Sequence, residues 1–180
     1  MQKIMIDTGM VQRVDCRGRA VQTVRLIGDA LARELETRGM ETMTSCGVPE
    51  LSEEGAGRPS RCAQAARSFG ADCLLRLYVR AAADPLFGSA DAMVFRRNSA
   101  AGEIARSLLQ SLETGAGMRN DGIRPAPGVV LLRRTPCPCV ILILRLPYRE
   151  KEFPTEDCVH RYALALANGL EAYRPAQGRG

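Results

Sequence analysis

Cysteine and histidine are the residues in this sequence whose chemistry suits metal binding or nucleophilic catalysis. Seven cysteines and a single histidine, His160, occur in 180 residues. Cys137 and Cys139 form a Cys-Pro-Cys segment, and a metal site there would need two more ligands, such as Cys73 and either Cys158 or His160. Structural zinc sites usually place about two to four residues between a ligand pair, whereas a single proline separates this pair. We therefore expect mostly buried thiols, with no metal ion or cofactor bound.

A cysteine nucleophile is a second possibility that these residue types leave open. Such a thiol would need a neighbouring base or positive charge to lower its pKa. The lone His160 cannot be placed beside any cysteine from the sequence. No residue is therefore assigned a catalytic role.

The positive charge of the chain comes almost entirely from arginine. Lys3 and Lys151 are the only lysines, and the formal net charge is +5. Guanidinium groups suit bidentate contacts to carboxylate or phosphate, although a solvated, arginine-rich surface is the more ordinary explanation. Aromatic residues make up 4% and tryptophan is absent, so a stacking platform for nucleic acid is not expected.

Neither a membrane span nor a signal peptide is expected from the sequence. No apolar run approaches the roughly 20 residues that a spanning helix needs. The first residues lack the basic start, the long apolar stretch and the cleavage site of a signal peptide. We expect a cytoplasmic protein, or an exported one without its leader.

The apolar pattern predicts alternating strands and helices. The run Cys-Val-Ile-Leu-Ile-Leu at residues 139–144 is the most hydrophobic, and such runs belong at the centre of a sheet covered on both faces. Thr155, which follows Pro154, is a predicted N-cap, and the two acidic residues after it suit the first turn of a helix. Strands are predicted at residues 3–7, 40–44, 73–79, 91–95, 129–132 and 139–144, helices at 20–38, 60–69, 100–112 and after Thr155, a loop at 47–59 and a turn-rich connector at 115–128.

This order of elements predicts a single α/β domain over residues 1–174, followed by a tail at 175–180. The expected architecture has three layers, with an open, mostly parallel sheet covered by helices on both faces. In such sheets the functional cleft lies at the carboxyl ends of the strands.

Several segments resemble, in order, the zinc-dependent N-acetylmuramoyl-L-alanine amidases that trim peptidoglycan. The family's first strand ends IDPGHG, where this chain has IDTGMV at residues 6–11. The family's ADLFVSIHANA is matched by ADCLLRLYVRA at residues 71–81. Later pieces follow at residues 121–123, 131–133 and 138–143, and the final helix is similar as well. The resemblance covers essentially the whole chain and implies the same α/β fold.

The resemblance also implies a zinc site that this sequence does not supply. In the family, two histidines and a glutamate hold zinc, and a second glutamate is the general base toward the zinc-bound water. The histidines fall on Met10 and Tyr78, the ligand glutamate (counted back from Gly39) on Ala20, and the base on Ile143. These side chains lack the imidazole and carboxylate donors that zinc binds at about 2 Å. Amidase activity by the family's mechanism is therefore not expected.

Arginines surround these altered positions. Arg76 and Arg80 lie two residues either side of Tyr78 and so share its face of the strand, and Arg145 lies two residues beyond Ile143. With Asp7 they outline a possible ligand cleft that binds a carboxylate or phosphate. The alternative is that the arginines pair with local acids, such as Asp7, Asp72 or Asp84.

Two functions remain for such a chain. One is a catalytically inactive amidase-like protein, a binding or regulatory module whose partner is a peptidoglycan fragment or an acidic protein, in a bacterial cell envelope. The other is a hydrolase of the family with relocated chemistry, using a cysteine nucleophile or a non-standard metal site. We favour the first because all four positions are changed and no replacement set is evident.

Overall fold

The computed structural model describes residues 2–9, 19–48, 51, 57–84, 86–147 and 155–173, and only the backbone of residues 19–21. Within this part of the chain, six strands form one sheet. The strands are β1 (Lys3–Asp7), β2 (Glu41–Thr44), β3 (Cys73–Ala81), β4 (Ser89–Val94), β5 (Arg119–Pro125) and β6 (Cys139–Leu146). Their order across the sheet is β2-β1-β3-β6-β4-β5.

The sheet is mixed but mostly parallel, as the sequence predicted. Strand β1 runs parallel to β2 and β3, and β3 runs parallel to β6. Strand β4 is antiparallel to β6 and parallel to β5. As a result, the carboxyl ends of β1, β2, β3 and β6 share one edge with the amino ends of β4 and β5.

Helices cover both faces of the sheet, which confirms the three-layer prediction. Helices α1 (Arg19–Thr37), α3 (Ala100–Ala116) and α5 (Glu156–Ala172) lie on one face, and α2 (Arg58–Phe69) and α4 (Val130–Arg134) lie on the other. Alternate residues of β6 enter the two cores: Leu142 packs beneath α3 and α5, whereas Ile141 packs with α2 and α4. No helix in the described ranges is long and apolar enough to cross a membrane.

Two local features fix the larger helical layer. The Thr155 hydroxyl accepts a hydrogen bond from the amide of Cys158 at 3.3 Å, so Thr155 is the N-cap of α5, as predicted. Helices α3 and α5 approach closely at Gly169, where an added Cβ would lie 2.8 Å from the Cα of Leu108. The Ser107 hydroxyl also donates to the Gly169 carbonyl at 2.8 Å.

Two sequence predictions about residues 115–132 were wrong. Residues 129–132 were expected to form a strand, but Val130–Arg134 is the short helix α4, which buries Leu131 and Leu132. The connector at 115–128 contains β5, an edge strand whose residues are mostly exposed. A register shift opposite β4 and a positive φ of 90° at Gly122 make this strand irregular. The predicted tail at 175–180 lies outside the described residues.

Candidate functional site

Polar side chains gather at the carboxyl edge of the sheet, on the face covered by α2. Asp7 ends β1 and lies on the same face as Met5, because side chains alternate along a strand. Its Cα partner on β3 is Arg76, which therefore points to the same side. Asp7 is fully buried, and Arg76 is 8% exposed.

Helix α2 supplies two further groups to this cluster. Arg58 is its first residue and Cys62 lies one turn later, so the two share a helix face. Pro59 suits the first turn, where its missing N–H has no helical partner. Gly70 ends the helix in the left-handed conformation, with φ of 70°. Helix α2 places the guanidinium of Arg58 and the thiol of Cys62 beside Asp7 at the end of β1.

The carboxylate of Asp7 is surrounded by donors. Arg58 donates from Nη2 to Oδ1 at 2.8 Å and from Nη1 to Oδ2 at 3.2 Å, while its Nε donates to the Leu51 carbonyl. The amide of Gly9 donates to Oδ1 at 3.0 Å, and the Cys62 thiol donates to Oδ2 at 3.4 Å. We call Asp7, Arg58 and Arg76 the Asp7 cluster.

Arg76 is held less tightly than Arg58. Its Nε lies 3.5 Å from Oδ2 of Asp7 and is buried without a hydrogen-bond partner among the described residues. The guanidinium lies 5.0 Å from the ring centroid of Tyr78. On its other side, a Cβ at Gly9 would come within 3.1 Å of Nη2, and the φ of Gly9 is 38°. Residue 9 is therefore suited to glycine for both space and backbone conformation.

The arginines keep Asp7 ionised despite its burial. Burial by itself would raise the pKa of Asp7, but the hydrogen bond from Arg58 and the charges of Arg76 and Arg58 lower that pKa to about 2. Burial and the negative charge of Asp7 instead raise the pKa of the Cys62 thiol. The carboxylate is thus an acceptor engaged within the cluster, and the Cys62 thiol stays protonated.

The positions carried over from the amidases lie close to this cluster where the structure describes them. Tyr78 and Ile143 are Cα partners on β3 and β6, and both point to the α2 face. Tyr78 is partly buried, and Ile143 is 3% exposed. Met10 lies outside the described residues. Ala20 lies in the first turn of α1, and only its backbone is described.

A second group of charges lies beside the first, between β6, β4 and β5. Asp91 on β4 is an ion-pair partner of Arg145 and also accepts from Arg124 at 2.7 Å. Arg145 also lies 3.7 Å from Asp121. Because β4 runs antiparallel to β6, its amino end brings Asp91 to the edge where β6 ends. We call this group the Asp91 cluster.

The three arginines predicted to line a cleft therefore differ in their surroundings. Arg76 belongs to the Asp7 cluster, and Arg145 belongs to the Asp91 cluster. Arg80 is exposed and has no ion-pair partner within the described ranges. Arg80 and Arg145 are Cα partners, so the exposed arginine lies on the strand next to one that is paired with an acid. The alternative raised from the sequence, that the arginines pair with local acids, is correct for Arg76 and Arg145. The partner of Arg145 is Asp91, which was not among the acids considered.

The cysteines near the other end of the sheet are buried or partly buried thiols. Burial raises the pKa of Cys139 to about 12 and that of Cys137 to about 11, and it raises the pKa of Cys73 as well. His160 is exposed on α5, where it lines a groove with residues of α1. In the described part of the chain, no three His, Cys, Asp or Glu residues are grouped so as to hold a metal ion.

Sequence reasoning missed Arg58, Cys62 and Asp91. Arg58 lies in the predicted loop at 47–59, and its partner Asp7 is 51 residues away. One signal of a helix start was present. Arg58 directly precedes Pro59, and proline is favoured in the first turn of a helix. Cys62, a small apolar residue, lies one turn after Arg58. Asp91 was predicted to begin a strand, but no sequence pattern gives that strand's direction.

Comparison with known proteins identifies the fold of this chain. By sequence, the chain matches no protein-family model and has no significant match among curated proteins. Solved structures do match. An N-acetylmuramoyl-L-alanine amidase from Clostridium difficile 630 superposes with a TM-score of 0.76 at 15% identity, covering 98% of each chain. The chain has the amidase fold.

Other solved amidases agree with this assignment. The catalytic domain of CwlV from Bacillus (Paenibacillus) polymyxa var. colistinus gives a TM-score of 0.74 at 17% identity, covering 96% of this chain and 98% of the other. The CwlD amidase from Clostridioides difficile, solved in complex with the GerS lipoprotein, gives 0.72 at 14% identity with the same coverage. Nearly the full length of these amidase chains is represented, so the fold predicted from the resemblance is confirmed.

Proposed function

We propose that this chain is a degenerate member of the N-acetylmuramoyl-L-alanine amidase family that binds a peptidoglycan-related ligand without hydrolysing it. The observation that carries the proposal is that Tyr78 and Ile143, at two of the positions carried over from the amidases, lie side by side next to the Asp7 cluster. In a fold whose solved relatives are amidases, a buried carboxylate at the carboxyl edge is bound to one arginine and lies against a second. Its role is therefore structural, and it is not available as a metal ligand or a base.

Zinc does not fit the described residues at this edge. A catalytic zinc takes about three imidazole or carboxylate donors and keeps one open position. Tyr78 and Ile143 supply a phenol and an alkyl chain. Asp7 already accepts from Arg58, Gly9 and Cys62, and a divalent cation beside it would lie next to guanidinium groups of the same sign. We therefore derive no hydrolytic step through zinc.

Relocated cysteine chemistry is also poorly supported by the buried thiols. A nucleophilic cysteine needs a lowered pKa. Burial raises the pKa of Cys139 and Cys73, and the Cys62 thiol donates to a carboxylate that favours its protonated form. These are the properties of structural thiols.

The exposed Arg80 is the best candidate for contact with an anionic ligand. It extends from the carboxyl end of β3 next to Arg145, in a chain of net charge +5. Peptidoglycan stem peptides carry carboxylates, which an exposed guanidinium binds by charge-assisted hydrogen bonds. An acidic protein segment would bind Arg80 by the same chemistry. Measured binding of a muropeptide would therefore identify peptidoglycan fragments as the ligand class.

One set of measurements tests the proposal. The purified protein should contain no stoichiometric zinc, its melting temperature should not respond to a chelator, and it should release no peptide from peptidoglycan. Calorimetry with soluble muropeptides should show binding that weakens as salt rises. Arg80→Ala should cost about 1.5–3 kcal/mol of that binding. Arg106→Ala, an exposed arginine of α3 on the opposite face, is the matched control and should have no effect.

Several results would contradict it. About one zinc per chain with loss of stability on chelation, or cleavage of the amide bond, would restore an enzymatic role. Equal binding by the wild type and the Arg80→Ala variant would remove Arg80 from the site.

A further inference from the structure

A small cavity adjoins the Asp7 cluster at the carboxyl ends of β1 and β2. Its volume is about 120 Å³, and its wall includes Arg25 of α1, Arg58 of α2 and the hydroxyl side chains of Thr8 and Ser45. None of the described residues that line this wall is acidic. At about 30 Å³ for each water, the cavity has room for roughly four, which suits a small group of a few heavy atoms.

The electrostatics of this cavity are unbalanced among the described residues. Arg58 and Arg76, both at least nine-tenths buried, share one carboxylate, so the Asp7 cluster carries a net charge of +1. Arg25 adds an exposed positive charge on the cavity's other side and has no ion-pair partner in the described ranges. Burying an uncompensated charge is costly, so such a position favours an anion.

Hydrogen-bond donors remain for such an anion. Arg58 has five N–H groups, of which one on each of Nε, Nη1 and Nη2 is used within the chain. One N–H on each terminal nitrogen is left. The Ser45 hydroxyl accepts from the amide of Thr8 at 3.2 Å, and its own hydrogen has no acceptor among the described residues.

From the cavity, its charge and its donors, we infer a binding site for a small oxyanion, either a carboxylate or a phosphate, between Arg25 and Arg58. A planar or tetrahedral oxyanion accepts several hydrogen bonds at once, which matches paired guanidinium groups and a hydroxyl. This site lies at the ends of β1 and β2, whereas Arg80 lies near the end of β3. The inference rests on the proposed function only for the identity of the natural ligand. The site would bind one anionic group of that ligand.

Titration of the full chain with inorganic phosphate and, separately, with acetate tests the site. Ionic strength is held constant with sodium chloride, and the amide signals of Thr8, Gly9 and Ser45 are followed by NMR. We expect saturable shifts of these three amides at millimolar anion and a rise in melting temperature. Higher affinity for phosphate would indicate a phosphorylated ligand. Higher affinity for acetate would indicate a carboxylate such as that of a stem peptide.

Two arginines of the same helix provide matched variants. Arg25→Gln should weaken the preferred anion by about tenfold or more, as expected for losing one charge-assisted contact. Arg33→Gln removes the same charge from an exposed position of α1 outside this cavity and should leave the affinity unchanged. Arg58→Lys, which keeps the charge but loses the bidentate geometry, should also weaken binding if it folds.

Absence of saturable shifts with both anions, or equal weakening by Arg25→Gln and Arg33→Gln, would overturn the inference. Neither outcome bears on hydrolysis, since the non-hydrolytic role is decided by the zinc and amidase measurements. Conversely, detected amidase activity would refute the proposed function and leave the oxyanion titration to be judged on its own result.

Discussion

Removing the Asp7 carboxylate should be among the most damaging single substitutions in this chain. Asp7→Asn leaves Arg58 and Arg76 buried without their counterion. Breaking a buried ion pair by removing one partner typically costs about 3–5 kcal/mol. Native domains are stable by only about 5–15 kcal/mol, so a large part of the stability would be lost at neutral pH.

The pH dependence of stability gives a sharper form of this prediction. The folded-state pKa of Asp7 is about 2, against 3.8 for the free side chain. At about 1.36 kcal/mol for each pKa unit, the difference is worth about 2 kcal/mol. Because the folded pKa is depressed, this stability is present above the unfolded pKa and is lost as pH falls through the folded pKa. Between about pH 5 and pH 2, about 2 kcal/mol should disappear.

Urea unfolding of the wild type and of Asp7→Asn at a series of pH values measures this difference. The other carboxylates are common to both proteins, so their contributions cancel when the two unfolding free energies are subtracted. The stability gap should therefore narrow by about 2 kcal/mol from about pH 5 to pH 2. Asp29→Asn, at an exposed position on α1, is the control and should change stability by less than about 0.5 kcal/mol at every pH.

The reasoning fails if Asp7→Asn destabilises by no more than Asp29→Asn at neutral pH. It also fails if the gap between wild type and Asp7→Asn stays constant on acidification, because Asp7 would then not have a depressed pKa in the folded protein.

Two further predictions concern packing and thiol reactivity. Gly169→Ala should lower stability by roughly 1–3 kcal/mol, because its methyl group would lie 2.8 Å from the Leu108 Cα, and backbone cannot move aside easily. Gly115→Ala, whose Cβ would meet that of Ala165 at an ordinary 3.4 Å, should be neutral or stabilising; equal melting temperatures would refute the close α3–α5 approach. In Ellman labelling followed by mass spectrometry, the exposed Cys46 should react in the folded protein, whereas the buried Cys62 should react only after denaturation. Labelling of Cys62 as fast as Cys46 would contradict its burial.

The elements that could be predicted from sequence are those whose local pattern agrees with their final environment. Strand β6 is buried on both faces, and its unbroken apolar run indicates that directly. Helix α5 begins at a threonine followed by two acids, a combination that depends only on neighbours along the chain. Because such signals depend on residues that are close in sequence, they indicate the same structure whatever the rest of the fold is.

Helix α4 and strand β5 were misjudged because their patterns are ambiguous or absent. A run of four apolar residues at 129–132 is typical of a short strand and of one helical turn alike, and only the packing of Leu131 and Leu132 against α2 and β6 decides between them. Strand β5 has the sequence RNDGIRP, with no apolar alternation, and pairs with β4 through its backbone.

The site was predictable only in part for a related reason. The positions around Tyr78 and Ile143 follow from collinear resemblance. The partners of the arginines depend on which strands are neighbours and in which direction they run, as Asp91 beside Arg145 illustrates. Long-range ion pairs leave no periodicity in a sequence, so Arg58 could not be assigned to Asp7 in advance.

The polar character of β5 has a consequence for the behaviour of the protein at high concentration. An outer strand presents unpaired amide and carbonyl groups on which a second chain can build, and long, flat, apolar edges promote aggregation. Strand β5 instead carries Arg119, Asp121 and Arg124, has a positive φ at Gly122 and ends in Pro125. The opposite edge, β2, is only four residues long. The residues that make β5 hard to recognise are thus those that discourage this sheet from growing by addition of further molecules.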